Sequence, residues 1–241
     1  MPALDAAAIL AVWERGSAQS LGERALTLLE FCGLARAEAA CLAVGERDAE
    51  LLRIRRRLFG DRIDAIATCA VCGEKLEVTL SASALIRECG GSQGDVVITG
   101  AQGVPLHFRV PNAGDLAALR DVDDVESGVA LLIERCKAFP SDGAERADAA
   151  LSADVIAALE DALCAADPGA ELLLASRCPA CGGDPQVLFD MPSFLWRETT
   201  ALAREMLWDV HELALAYGWS EDAILRLSPA RRQFYLSVLQ R

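Results

Sequence analysis

Two short stretches carry the residues best suited to chemistry: Cys69-Ala-Val-Cys72-Gly73 and Cys178-Pro-Ala-Cys181-Gly182. In each, a Cys-x-x-Cys spacing lets two thiolates reach one metal from a tight turn. The trailing glycine suits the positive-φ position that such a turn needs. Two turns together supply the four sulfur ligands of a closed tetrahedral site, the usual arrangement of structural zinc. Four thiolates suit zinc, with iron as the other candidate. The expectation is one zinc per chain on Cys69, Cys72, Cys178 and Cys181. Two other chemistries use the same residues. A redox pair needs its first cysteine at a helix N-terminus, yet Gly182-Gly183-Asp184-Pro185 stops helices and Leu76 to Leu80 alternates like a strand. Two separate disulfides would suit an exported protein. The N-terminus Met-Pro-Ala-Leu-Asp-Ala carries no basic region of a secretory signal, so the cytoplasm of the producing cell is expected, with possible passage into a finished particle left open.

The remaining cysteines, Cys32, Cys41, Cys89, Cys136 and Cys164, sit among apolar or small residues and read as small buried hydrophobes. No catalytic set accompanies them. The two histidines are His107 in an alternating stretch and His211 mid-helix, the latter expected at the core edge with a hydrogen bond. There is no phosphate loop, dinucleotide fingerprint or nucleophile elbow. Asp121, Asp123, Asp124 and Glu126 lack the glycine and spacing of a calcium loop and read as a solvated turn. The expectation is a protein without enzymatic activity.

The elements that must position the cysteines follow from periodicity. The 241 residues are 53% hydrophobic, enough for a substantial core. Helices are predicted over Leu4–Arg15 (stopped by Gly16), Leu21–Cys32, Ala35–Val44 and Glu46–Phe59, the last with its arginines pointing outward. From Ile63 the period becomes alternating. Ile63, Ala65 and Ala67 enter the first cysteine turn and Leu76 to Leu80 leave it. Val96–Thr99 and Val104–Val110 form a hairpin, and Val187 to Phe189 leave the second turn. Helices Asp115–Leu119, Val125–Phe139 and Ser152–Ala166, the last capped by Ser152, fall in a segment with fourteen acids against four bases, with a polar loop over Pro140–Ala147. Phe194–Tyr217 is a long helix with Phe194, Leu195, Leu202, Met206, Val210, Leu213 and Leu215 inward, ended by Gly218. Ser220 and Ser228-Pro229 open two short helices after it.

The predicted fold class is therefore α+β and mainly helical. A zinc-ribbon-like small β core holds an acidic helical insertion and is flanked by N- and C-terminal helices. The segments are 1–62 (helical), 63–111 with 172–192 (β core), 112–171 (insertion) and 193–241 (helical).

Charge narrows the partners. The net −13 opposes docking on phosphate backbones, and no apolar run reaches transmembrane length. Basic clusters at Arg53, Arg55, Arg56, Arg57 and at Arg226, Arg231, Arg232 read as solvated helix faces. The capped helices at the C-terminus could resemble a helix-turn-helix, but only Arg226, Arg231 and Arg232 could meet phosphate. Nucleic acid is not expected, although a zinc-ribbon nucleic-acid-binding or regulatory protein remains the alternative reading. Tyr217, Trp219, Phe234 and Tyr235 crowd the C-terminus of a chain that is 5% aromatic. Aromatics and arginines anchor protein interfaces, so Trp219, Arg231, Arg232 and Tyr235 are candidate partner contacts. Packing of the four rings against neighbouring helices is the competing reading.

The run Asp209-Val-His211-Glu-Leu-Ala-Leu-Ala-Tyr217-Gly-Trp219-Ser220-Glu-Asp-Ala-Ile224-Leu-Arg-Leu-Ser-Pro-Ala-Arg231-Arg232-Gln-Phe-Tyr235-Leu resembles the C-terminus of T-even-type baseplate-hub proteins. The resemblance extends to their relatives in prophages, tailocins and contractile injection systems. Leu10-Ala-Val-Trp13-Glu14-Arg15-Gly16, Leu58-Phe59-Gly60 and Arg109-Val110-Pro111-Asn112-x-x-Asp115-Leu116 are similar to the same family. The cysteine pairs lie outside these motifs. The resemblance implies a structural or chaperone-like tail-assembly component without enzymatic activity, docking on hub, spike or tape-measure proteins.

Overall fold

A computed structural model describes residues 5–89, 91–100, 103–138, 151–175 and 177–239. The expected polar loop Pro140–Ala147 lies outside them. The chain is mainly helical, with three small antiparallel strand pairs among the described residues, as the α+β expectation requires.

The N-terminal helices α1 (Ala6–Ser17), α2 (Leu21–Phe31), α3 (Arg36–Cys41) and α4 (Val44–Phe59) form wherever apolar residues recur at helical spacing behind a cap. Asp5 and Ser20 accept the N–H groups of Ala8 and Glu23. Gly16 does not stop α1. It lies in the last turn against the Trp196 ring, where a Cβ would overlap that ring. The main core is built from Leu26, Leu28, Leu29, Leu51, Leu52, Ile54, Met191 and Leu195.

The arginines of α4 do not all face out. Arg47 and Arg55 are buried. Arg55 donates to both Glu198 carboxylate oxygens (3.0 and 2.8 Å) and to the carbonyls of Gly60 and Arg62 (2.7 and 2.5 Å). A planar fork can satisfy all of these at once, and the contact ties the exit of α4 to a helix far along the chain.

Strands β1 (Arg62–Thr68) and β2 (Lys75–Ser81) pair through seven residues each, and the first cysteine turn is their tip. Helix α5 (Ala82–Glu88), which the alternating pattern upstream does not announce, follows at once with Ser81 as its cap. β3 (Asp95–Thr99) pairs with β4 (Pro105–Arg109), and β5 (Leu173–Ala175) pairs with β6 (Gln186–Leu188) around the second cysteine turn.

Helices α6 (Ala113–Ala118), α7 (Val125–Cys136) and α8 (Ala153–Ala166) occupy the acidic segment. They do not share one environment. α6 packs on α2 and α3, with Ala113 and Ala117 in the main core. Leu159 and Ala166 of α8 and Cys136 of α7 instead meet Val96, Ile98, Phe108 and Val110 in a second core. The β3–β4 hairpin is thus packed with the acidic helices, while the cysteine hairpins join the main core at their bases through Ile63, Leu80 and Leu174. Ser152 precedes α8 without giving its side chain to the cap.

Helix α9 (Met191–Tyr217) is the spine. Its start lies a little before Phe194, because Asp190 accepts Ser193 N–H and Pro192 sits in the first turn. Its first half completes the main core. Ala203 and Met206 then meet Ile9 and Leu10 of α1, and Val210 and Leu213 meet Ile224 and Leu236. The last two residues belong to α10 (Glu221–Leu225) and α11 (Pro229–Leu239). Leu215 faces solvent, contrary to expectation, because it lies on the side of the helix opposite the buried Ala203, Met206, Val210 and Leu213.

Candidate metal centre

The two cysteine turns are near copies of each other. Gly73 N–H donates to the Cys69 carbonyl (2.8 Å) and Cys69 N–H to the Glu74 carbonyl (2.8 Å). Gly182 N–H donates to the Cys178 carbonyl (2.9 Å) and Cys178 N–H to the Gly183 carbonyl (2.8 Å). Gly73 and Gly182 have φ of 78° and 70°, the left-handed conformation that closes each knuckle without a Cβ clash. Carried on β1–β2 and β5–β6, the turns meet tip to tip.

All four sulfurs lie within 4.8 Å of one another. Cys69 Sγ stands 3.8 Å from Cys181 Sγ, and Cys72 Sγ stands 3.6 Å from Cys178 Sγ. A tetrahedral ion with metal–sulfur bonds of about 2.3 Å places its sulfurs about 3.8 Å apart. The donor set therefore fits a tetrathiolate metal in both chemistry and size. The close pairs run between the knuckles, so each knuckle contributes half of a single site. All nine cysteines in the described residues are free thiols.

The site is asymmetric. Cys69 and Cys178 are each 1% exposed, whereas Cys72 and Cys181 face solvent. The backbone N–H groups of Cys72 and Val71 aim at Cys69 and hold its thiol down at about 7. At Cys72 the Glu74 N–H favours the thiolate. Contact with Cys181, desolvation and the two other thiols outweigh it and push the group up to about 12. A readily ionised Cys69 beside a Cys72 that resists ionisation is what crowded sulfurs produce before a cation offsets their charge.

The other cysteines split. Cys32, Cys89 and Cys136 are buried as expected, and burial pushes Cys89 up to about 12 and Cys136 to about 11, leaving them inert. Cys41 and Cys164 are exposed, against expectation. His211 is also exposed, its ring edge-on to Trp208 at 5.9 Å. Asp121, Asp123, Asp124 and Glu126 are solvated, with Asp124 capping α7.

The segment Arg109 to Leu116 has a structural logic that spacing alone does not reveal. Asp115 is fully buried. Arg109 grips both its oxygens (2.5 and 3.0 Å), and Arg135 reaches Oδ1 at 2.8 Å. Asn112 and Asp115 exchange backbone-to-side-chain hydrogen bonds as a capping box. Burial raises the Asp115 carboxyl, but the bonds from Arg109, Asn112 and Arg135 prevail and hold it below the usual carboxylate range. This one carboxylate joins β4, α6 and α7.

The candidate partner contacts divide as well. Tyr217 and Trp219 stack at 4.7 Å, and Tyr235 meets Trp219 edge-on at 4.9 Å, so three of the four rings form an internal half-buried cluster. Arg232 is buried and paired with Asp209 at 3.0 Å. That ion pair takes Arg232 out of the solvated face expected for it. Arg231 and Phe234 are exposed.

The fold and the centre define a mainly helical α+β protein whose hairpins close a four-thiol site instead of lining a cleft. Residues 5–196 match the family model described as T4 bacteriophage base plate protein, and the chain belongs to that family. No curated protein and no solved structure matches the chain. The matched span takes in the cysteine pairs, Leu58–Gly60 and Arg109–Leu116. It ends before the C-terminal motifs Tyr217–Leu236.

Proposed function

We propose that this protein is a non-enzymatic structural or chaperone-like component of the baseplate hub of a contractile phage tail or a related contractile injection system. The family match over residues 5–196 carries the reading. Cys69, Cys72, Cys178 and Cys181 hold one structural zinc. With all four positions taken by protein sulfurs, none is open for water or substrate, which favours scaffolding over catalysis. The zinc would cross-link the two chain stretches that flank the acidic segment 112–171, a division that leaves residues 1–62 and 193–241 as helical flanks.

The partners are hub, spike or tape-measure proteins, met in the cytoplasm of the producing cell, with the chain then carried into the tail. Exposed Arg231, beside the aromatic cluster of Trp219 and Tyr235, supplies one contact region. No helix among the described residues is long and apolar enough to cross a membrane. The test is assembly itself. In a producing strain lacking this chain, particles should stall without a complete baseplate, and a tagged copy should restore them and co-purify hub components. Complete, infective or contractile particles formed without the chain would overturn the reading.

A further inference from the structure

The solvent side of α9 is organised in rows seven residues apart. Ala201, Trp208 and Leu215 form an apolar row, with Trp208 67% and Leu215 80% exposed. Residues seven apart drift by only about 20° around a helix, so these three lie in line. They sit opposite the buried Ala203, Met206, Val210 and Leu213. On one flank run Arg197, Arg204 and His211. On the other run Glu198, Glu205 and Glu212. Glu198 is held by Arg55 and Arg197 lies over the Phe194 ring, but Arg204, Glu205 and Glu212 form no ion pair among the described residues.

An apolar row with opposite charges on its two flanks is self-complementary in one orientation only. When two such helices lie parallel about a two-fold axis, the basic flank of each faces the acidic flank of the other. When they lie antiparallel, like meets like. We propose that α9 pairs with α9 of a second copy of this chain, parallel and in register. Trp208 and Leu215 then meet their counterparts along the seam, and Arg204 lies against Glu205 of the second copy on both sides. The stripe from Arg197 to Leu215 is roughly 27 Å long at 1.5 Å per residue. That is less than a standard interface, so the pairing is concentration-dependent in the micromolar range. Its residues are not those of the cysteine centre or of the contact region around Arg231.

Sedimentation of the full chain, as purified, across the micromolar to near-millimolar range tests this. The parent should shift from monomer to dimer. Arg204→Glu should weaken the dimer about tenfold, since symmetry places two like-charge contacts in it. Adding Glu205→Arg to that variant should restore it by exchanging the flanks. Trp208→Ala should weaken the dimer by at least about tenfold, as a central aromatic anchor does. Thermal melts of the dilute variants should match the parent, because these side chains are exposed. A parent that stays monomeric would overturn the proposal, as would a charge swap that fails to rescue. So would a monomeric chain that places a different baseplate subunit on this face.

Discussion

Around the cysteines, the buried apolar side chains are few: Cys69, Leu76 and Cys178, with Ala67 and Val78 against them. Around α2, α4 and the start of α9, leucines, isoleucines and aromatics bury one another in a continuous cluster. Both regions hold together stretches that are distant in sequence. The helical region does so by removing apolar surface from water, at about 25 cal/mol per Å². The tips of the cysteine hairpins have too little such surface, since only their bases reach the main core through Ile63, Leu80 and Leu174, and two-stranded hairpins alone are marginal in water. Metal–sulfur bonds would supply what burial cannot. The two regions should therefore fail under different treatments.

Metal removal should separate them most sharply. The purified chain should carry about one zinc, and structural zinc is worth on the order of 10 kcal/mol in small peptides. Chelation or Cys178→Ser should abolish amide-exchange protection in β1–β2 and β5–β6 first, while α2 and α4 keep most of theirs. Unchanged protection in the hairpins after complete metal removal would break the distinction.

Next in size is the Asp115 centre, where the fold depends on charge inside the packed region. Asp115→Ala strands Arg109 and Arg135 and should cost about 3–5 kcal/mol in denaturant unfolding. The sign of the pH effect follows from the lowered carboxyl. Its contribution is present above the unfolded value near 3.9 and is lost as pH falls through the lower folded value. The parent's stability should thus fall below about pH 4 with a component that Asp115→Asn lacks.

Smaller effects probe backbone contact. A Cβ on Gly45 would strike the Asp167 carboxylate and the Gly169 backbone, and one on Gly169 would strike the Cys89 backbone. Either alanine should cost about 2–3 kcal/mol, as overpacking does. A variant as stable as the parent would mean that this junction yields. Smaller again, Ser220→Ala should cost about 1 kcal/mol by removing the cap on α10. Arg231→Glu should move the melt by under about 0.5 kcal/mol, whereas Arg232→Ala, losing a buried pair with Asp209, should move it several times more.

The cysteine centre was readable in the sequence because each half is a local signal of five residues. Helix positions were readable for the same reason, through caps and periodicity. The α5 signal, Ala82, Leu85, Ile86 and Cys89 at helical spacing behind Ser81, was present and is easily lost in the strand pattern before it. What local pattern could not give is which arginines turn inward. Arg55 is buried because Glu198 awaits it 143 residues on, and Arg232 because Asp209 lies on a neighbouring helix. Leu215, by contrast, is placed in solvent by the period itself, since two residues past buried Leu213 lies about 200° round the helix.

The tip-to-tip knuckles have a consequence for how the chain is made. Cys69 and Cys181 are 112 residues apart, and the Gly45–Asp167 and Arg55–Glu198 contacts span 122 and 143. At a synthesis rate of about 5–20 residues per second, the first cysteine pair leaves the ribosome roughly 6–20 s before the second. For that interval it is a bidentate thiol hairpin with half a coordination shell, open to glutathione, to oxidants or to another chain's unpaired knuckle. By the order of emergence, any metal that takes all four sulfurs can do so only after Cys181 has left the ribosome.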